Sequence, residues 1–386
     1  MPQAARRNRD IAPFHVMELL ARAQALEAEG RDIIHMEVGE PDFPTPAPIV
    51  SAGQAALAAG RTHYTPALGL PELRQAIADF YQSRYKVRIP ARRIVVTAGA
   101  SGALTLALAC LAEPGSRWLL TDPGYPCNRH FVRVFEAEPV AVPVGPEHNF
   151  QLTPELLTRH WDDRTAGALV ASPANPTGTL LTASELDALA QAIRARHGHL
   201  LVDEIYHGLS YDQDCATALA AGDDLWVINS FSKYFQMTGW RLGWLVVPEP
   251  FVRDVEKLAQ NLFIAPSTPA QHAALAAFAP ETLAILETRR ATLKARRDYL
   301  APALEKLGFR LAARPEGAFY LWCDCSALAP DSFTLASRLL EDAGVAATPG
   351  LDFGQYQPER YIRFAYTTDL ARLEAAVARL GRYLDR

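Results

Sequence analysis

Cysteine is scarce. The five cysteines, at 110, 127, 215, 323 and 325, form no CxxC pair, and their odd number in a chain of 386 residues argues against a disulfide framework. Cys323 and Cys325 straddle one residue, as positions along a strand do, and suggest no metal site. Long apolar runs are also missing. The longest, "ALTLALACLA" at 103–112, is too short to span a bilayer and reads as a buried helix. The opening "MPQAARRNRDIAPF" lacks the apolar core of a secretory signal. A reduced, cytoplasmic setting away from membranes is the expectation. Positive charge is not in excess: 38 lysines and arginines face 43 acids, a formal net charge of −5. That balance argues against nucleic acid as a partner. There is no internal repeat and no low-complexity tract.

The chain is 49% hydrophobic and 21% charged, ordinary for a globular enzyme, and long enough for two or three domains. Strands and helices alternate along most of it. "RIVVTAGA" (93–100) is an apolar run ending in small residues, and "SGALTLALACLAEPG" reads as a helix stopped at Pro114-Gly115. "RWLLTDPGY" and "AGALVASPANPTG" are strands running into turns. "LTASELDALAQAIRARHG" is an amphipathic helix opened by a Thr182/Glu185 capping box. "HLLVDEIYHG" and "DLWVINSFSK" are further strands. The rhythm predicts an α/β fold with a mostly parallel sheet covered by helices on both faces. From about 285 the texture changes to a long charged helix and shorter strands, a smaller α+β unit. The N-terminal helix around "FHVMELLARAQALEAEG" is expected to join it. The expected division is a large domain over 46–284 and a small one from 1–45 with 285–386.

Ligands of such sheets sit beyond the carboxyl ends of the strands. "TAGASG", "DPGY", "SPANPTG", "DEIY" and "SFSK" all fall where an apolar run turns polar, so five strand ends should meet at one crevice. In "NSFSKYFQMTGWRLGW" (229–244), Lys233 stands apart from other protein charges, between hydroxyls and Arg241. From "GEPDFPTP" to "RFAY", this ordered set of motifs resembles the class I/II pyridoxal-phosphate-dependent aminotransferases of fold type I, the aspartate aminotransferase-like group.

The resemblance implies roles that suit the residue types. Lys233 would form the Schiff base with the cofactor aldehyde, then act as the base at the substrate α-carbon. Both tasks need a lowered pKa, from sparse water and the Arg241 cation. Asp203 would keep the pyridine nitrogen protonated, so that the ring serves as electron sink. Tyr206 and Asn175 would donate to the ring hydroxyl oxygen, and Tyr125 would stack on the ring. Ala100, Ser101 and Gly102, at a helix start, would hold the phosphate with Ser230, Ser232 and Arg241. Tyr64 would reach the phosphate in a neighbouring subunit, making the enzyme a homodimer with composite sites. Arg363 would pair with the substrate α-carboxylate, beside Asn175 and the backbone at Gly39. "EGAFY" (316–320) and "TPGLDFG" (348–354) would line the substrate pocket or its lid. Cys127 and Asn128 carry no role on this reading.

The implied reaction moves an amino group from an L-amino acid to a 2-oxo acid, by default 2-oxoglutarate or pyruvate. Some aspartate-specific relatives carry a lysine in the helix-start loop, and here Ser101 takes that place. Neutral and acidic donors both stay open. The same constellation also supports C–S β-elimination and other chemistry at the α- or β-carbon. A ligand-sensing regulatory module is disfavoured by the short segment ahead of Gly39 and the acidic balance.

Overall fold

The computed structural model describes residues 3–13 and 15–385. At its centre seven strands lie in the order Ile94–Thr97, Gly243–Val246, Trp226–Ser230, His199–Asp203, Thr165–Ala171, Arg117–Asp122 and Glu138–Pro143. Pairing is parallel throughout, except that Gly243–Val246 runs antiparallel to both neighbours. The strands are apolar on both sides because both faces are covered. Val95, Trp118, Leu120, Leu169, Leu201 and Ile228 share a core with the helices Gly99–Leu111 and Val252–Leu262. Their strand neighbours Val96, Leu119, Ala168, Val170, Leu200 and Val227 point the other way, into the core that includes helices Pro71–Tyr85 and Ala183–Arg194. This is the two-residue period of a strand buried on each face.

Local signals set the helix starts. Thr182 and Glu185 form the expected capping box at Ala183–Arg194. The first helix after the sheet's edge strand begins at Gly99, whose positive φ of 70° turns the chain sharply out of Ile94–Thr97. The "GEPDFPTP" crossover has no regular structure. It is held by Arg296, which donates to both carboxylate oxygens of Asp42 (2.7 and 2.9 Å), and by Arg289, which donates to the Pro44 carbonyl (2.6 Å).

A second, antiparallel sheet has the order Thr348–Pro349, Tyr361–Ala365, Tyr320–Asp324, Arg310–Leu311. The N-terminal helix His15–Ala28 associates with this part: Arg22 pairs with Glu341, and Ile34–His35 forms a parallel pair with Val345–Ala346. The amides of His15 and Val16 donate to the Asp352 carboxylate at 3.0 and 2.8 Å. The boundary expected at 284/285 falls inside the continuous helix Pro280–Lys306. No helix among the described residues is long and apolar enough to cross a membrane.

Candidate active site

The carboxyl ends of five parallel strands open on one cavity of about 280 Å³. Ala100 and Ser101 come from the turn after Ile94–Thr97, and Tyr125 from that after Arg117–Asp122. Asn175 follows Thr165–Ala171, Asp203 and Tyr206 end His199–Asp203, and Ser230, Ser232 and Lys233 end Trp226–Ser230. Arg241, Gly39 and Arg363 complete the wall. Two residues singled out in the sequence are elsewhere. Gly102 is buried in its helix and its amide already bonds the Ala98 carbonyl (3.3 Å), so the amides ahead of that first bond are those of Gly99, Ala100 and Ser101. Tyr64 is 82% exposed on the surface of the single chain.

Lys233 Nζ donates to the Gly39 carbonyl at 2.6 Å. Burial pulls its pKa down to about 8; Arg363 and Arg241 push the same way, against Glu40 and Asp203. The cation expected from Arg241 alone is thus secondary to burial and shared with Arg363. Asp203 is buried, and its carboxylate accepts from the Ile205 amide at 3.0 Å. Burial raises its carboxyl to about 7, against the pull of that amide and of Lys233. The adjacent Glu204 points out of the cavity, where it accepts from Thr217 Oγ1 (2.9 Å) and the Ala218 amide (2.7 Å).

Ser230 Oγ lies 2.9 Å from Ser232 Oγ. Arg241 is held near them by its left-handed backbone, φ 54°, and by donating to the Thr238 carbonyl at 3.0 Å. A Cβ at Gly99 would stand 2.7 Å from the Arg241 guanidinium, so only glycine lets the helix start approach that cation. On the opposite wall Arg363 donates to Asn175 Oδ1 (2.8 Å) and to the Glu37 carbonyl (2.5 Å), while its Nε has no partner among the described residues. Tyr320, the last residue of "EGAFY", lines the cavity, as do the N-terminal Val16 and Met17, which nothing in the sequence marked.

Residues 31–380 match the family described as aminotransferase class I and II. The chain belongs to this family. A valine–pyruvate aminotransferase of Mycobacterium tuberculosis is 38% identical over 97% of each chain, and an aspartate/prephenate aminotransferase of Thermus thermophilus is 34% identical over 99% of each. The crystal structure of an aminotransferase from M. tuberculosis superposes with a TM-score of 0.96 at 38% identity, covering 100% of both chains. The fold is that of the fold type I enzymes, and the protein is a pyridoxal-phosphate-dependent aminotransferase acting on amino acids and 2-oxo acids.

The cavity of this aminotransferase suits the cofactor chemically. One end offers helix-start amides, two serine hydroxyls and a guanidinium, a donor set for a phosphate dianion. The other end offers a lysine amine with a lowered pKa. Between them a buried carboxylate has one backbone donor and lacks a cation of its own, the environment a protonated ring nitrogen would complete.

Proposed function

We propose that this aminotransferase takes its amino group from an L-amino acid uncharged close to its α-carbon, with pyruvate as the preferred acceptor over 2-oxoglutarate. The observation that carries this is the inventory of cations. Among the described residues, those lining the cavity are Lys233, Arg241 and Arg363. The first is the reactive amine, the second stands at the phosphate end and the third is committed to the α-carboxylate. A short diacid would find no further cation, and Glu40 at the cavity wall opposes it. Val16, Met17, Val38 and Ile205 offer apolar surface instead. The valine–pyruvate activity named for the M. tuberculosis relative supports this reading.

Pyridoxal phosphate, when bound, supplies the electron sink that makes the donor's α-proton removable. The protein's own residues do the rest. Ala100 and Ser101 amides, Ser230, Ser232 and Arg241 would hold the phosphate. Asp203 would keep a proton on the ring nitrogen, Tyr125 would face the ring, and Asn175 and Tyr206 would donate to its hydroxyl oxygen. Arg363, with Asn175 and the Gly39 backbone, orients the donor's carboxylate. Lys233 Nζ would be the base that moves a proton between the donor's α-carbon and the cofactor. Tyr64 completes the phosphate site of a second subunit in a homodimer, in keeping with the outward exposure of its ring. Five free cysteines suit a reducing cytoplasm.

The test is a donor screen. Twenty amino acids are offered with pyruvate or 2-oxoglutarate, and the cofactor's spectral change is followed. Valine-like and aromatic donors should outpace aspartate and glutamate. Aspartate as the fastest donor would overturn the assignment, and ammonia release without amino transfer would replace it with β-elimination.

A further inference from the structure

Beside the active-site cavity lies a larger one of about 540 Å³, and Tyr125, Ala171 and Asn175 line both. Its wall also includes strand residues such as Leu120, Ala141 and Leu169, the helix Cys127–Val134, residues of the 351–355 loop, and Asp10, Ala12 and His15. Its lining includes the arginines Arg129 and Arg133 and two buried polar atoms without partners. Asn128 is only 9% exposed, yet its Oδ1 has no partner among the described residues, nor has His130 Nδ1. Such orphaned groups in a wall call for a ligand or water. The Arg129 guanidinium makes one long bond, 3.4 Å to the Asp352 carbonyl, and Arg133 lines the same space. Two acids are present. Asp122 is already engaged, accepting from the Gln355 amide (2.9 and 3.1 Å) and the Tyr356 amide (3.2 Å), and Asp10 is exposed. The uncommitted charge in the wall is therefore that of Arg129 and Arg133.

The position of Arg363 connects this cavity to catalysis. Its guanidinium bonds Asn175 and lies 4.8 Å over the Phe353 ring, and both residues also line the second cavity. An amino acid anchored at Arg363 thus starts at the partition between the two spaces. We propose that the second cavity receives the far end of a long amino donor, uncharged along its first atoms and ending in a carboxylate, which Arg129 and Arg133 bind. The proposal rests on Arg363 holding the α-carboxylate.

The experiment compares 2-aminoadipate, 2-aminopimelate and 2-aminosuberate with straight-chain apolar amino acids of equal length, using the holoenzyme and pyruvate. At the longer lengths the dicarboxylic donor should exceed its apolar counterpart in kcat/KM by about tenfold or more, the scale of a charge-assisted contact. Arg129→Gln and Arg133→Gln should each shrink that advantage and leave alanine turnover unchanged. Suberate, which cannot react, should inhibit more tightly than octanoate, and Arg129→Gln should remove the difference. Apolar donors that win at every length would overturn the proposal. So would variants that slow alanine and 2-aminosuberate alike. Failure of the Arg363 reading would be separate: Arg363→Ala would then leave KM for alanine unchanged.

Discussion

The hydroxyls of Tyr206 and Tyr320 lie 2.8 Å apart, and the Arg363 guanidinium sits 4.2 Å over the Tyr320 ring. Tyr320 thereby joins the residue proposed to tune the cofactor's ring oxygen to the one proposed to grip the substrate. Its hydroxyl is packed so closely over Gly39 that a Cβ there would come within 2.1 Å of it. Tyr320→Phe strips Tyr206 of this partner and should lower kcat/KM by about tenfold, the value of one buried hydrogen bond. Gly39→Ala should reach a similar loss by displacing the ring. The double variant should lose less than the sum, because both changes act on one contact. Full additivity in steady-state kinetics would separate the two sites.

Lys233→Ala should abolish transamination. Borohydride reduction of the cofactor-saturated wild type should fix the label on Lys233, read by peptide mass spectrometry. A label on another lysine, or normal turnover in the variant, would falsify its assignment as the reactive amine.

The lowered pKa of Lys233 has a signature in stability. The folded value, about 8, lies below the ordinary 10.5, so between those pH values the unfolded chain binds the extra proton. The unfavourable contribution of this lysine is then fully present below about pH 8 and fades as pH rises toward 10.5. Cofactor-free wild type should therefore lose stability relative to Lys233→Met as pH drops from 10.5 to 8. Urea midpoints of the two proteins at pH 7.5 and pH 10 measure this; a constant difference would mean the amine is not perturbed.

Arg363→Ala should raise KM for amino donors in general rather than for one side chain. The loss of charge-assisted contacts to the α-carboxylate should cost about 2 kcal/mol or more, roughly thirtyfold. Donor KM values for alanine, valine and phenylalanine check it, and the three should move together.

Tyr64→Ala subunits mixed with Lys233→Ala subunits should recover part of the wild-type activity, since some hybrids would carry one intact site. The control is direct detection of hybrids by native mass spectrometry. Hybrids without activity would remove Tyr64 from the neighbouring site.

Much of this was legible in the chain because the signals are local. Apolar runs ending at Thr97, Asp122, Ala171, Asp203 and Ser230 announce buried strands, and the polar residues just beyond them fall on one rim by the rules of a parallel sheet. The Thr182/Glu185 cap spans three residues and needs no tertiary context. Other features depend on partners far apart. Glu37 offers its carbonyl to Arg363 across 326 positions, Tyr206 meets Tyr320 across 114, and Asp352 caps the helix that carries Val16 and Met17. No spacing rule marks such pairs. Gly102 shows the limit even locally: the helix starts early enough that its amide is consumed by Ala98.

The sequence by itself determined the chemistry available: a lone lysine, a strand-end acid, a hydroxyl and guanidinium set and a strand arginine, ordered so that a parallel sheet gathers them. Tertiary structure decided what they become. Burial, more than Arg241, lowers Lys233, and Glu204 is turned away from the cavity that Asp203 faces. The second cavity brings residues of the 351–355 loop together with Asn128 and Arg129, more than 200 positions earlier. Ordering along the chain can specify which groups are near the rim, but desolvation and enclosure are properties of packing, set by segments that meet only in the folded state.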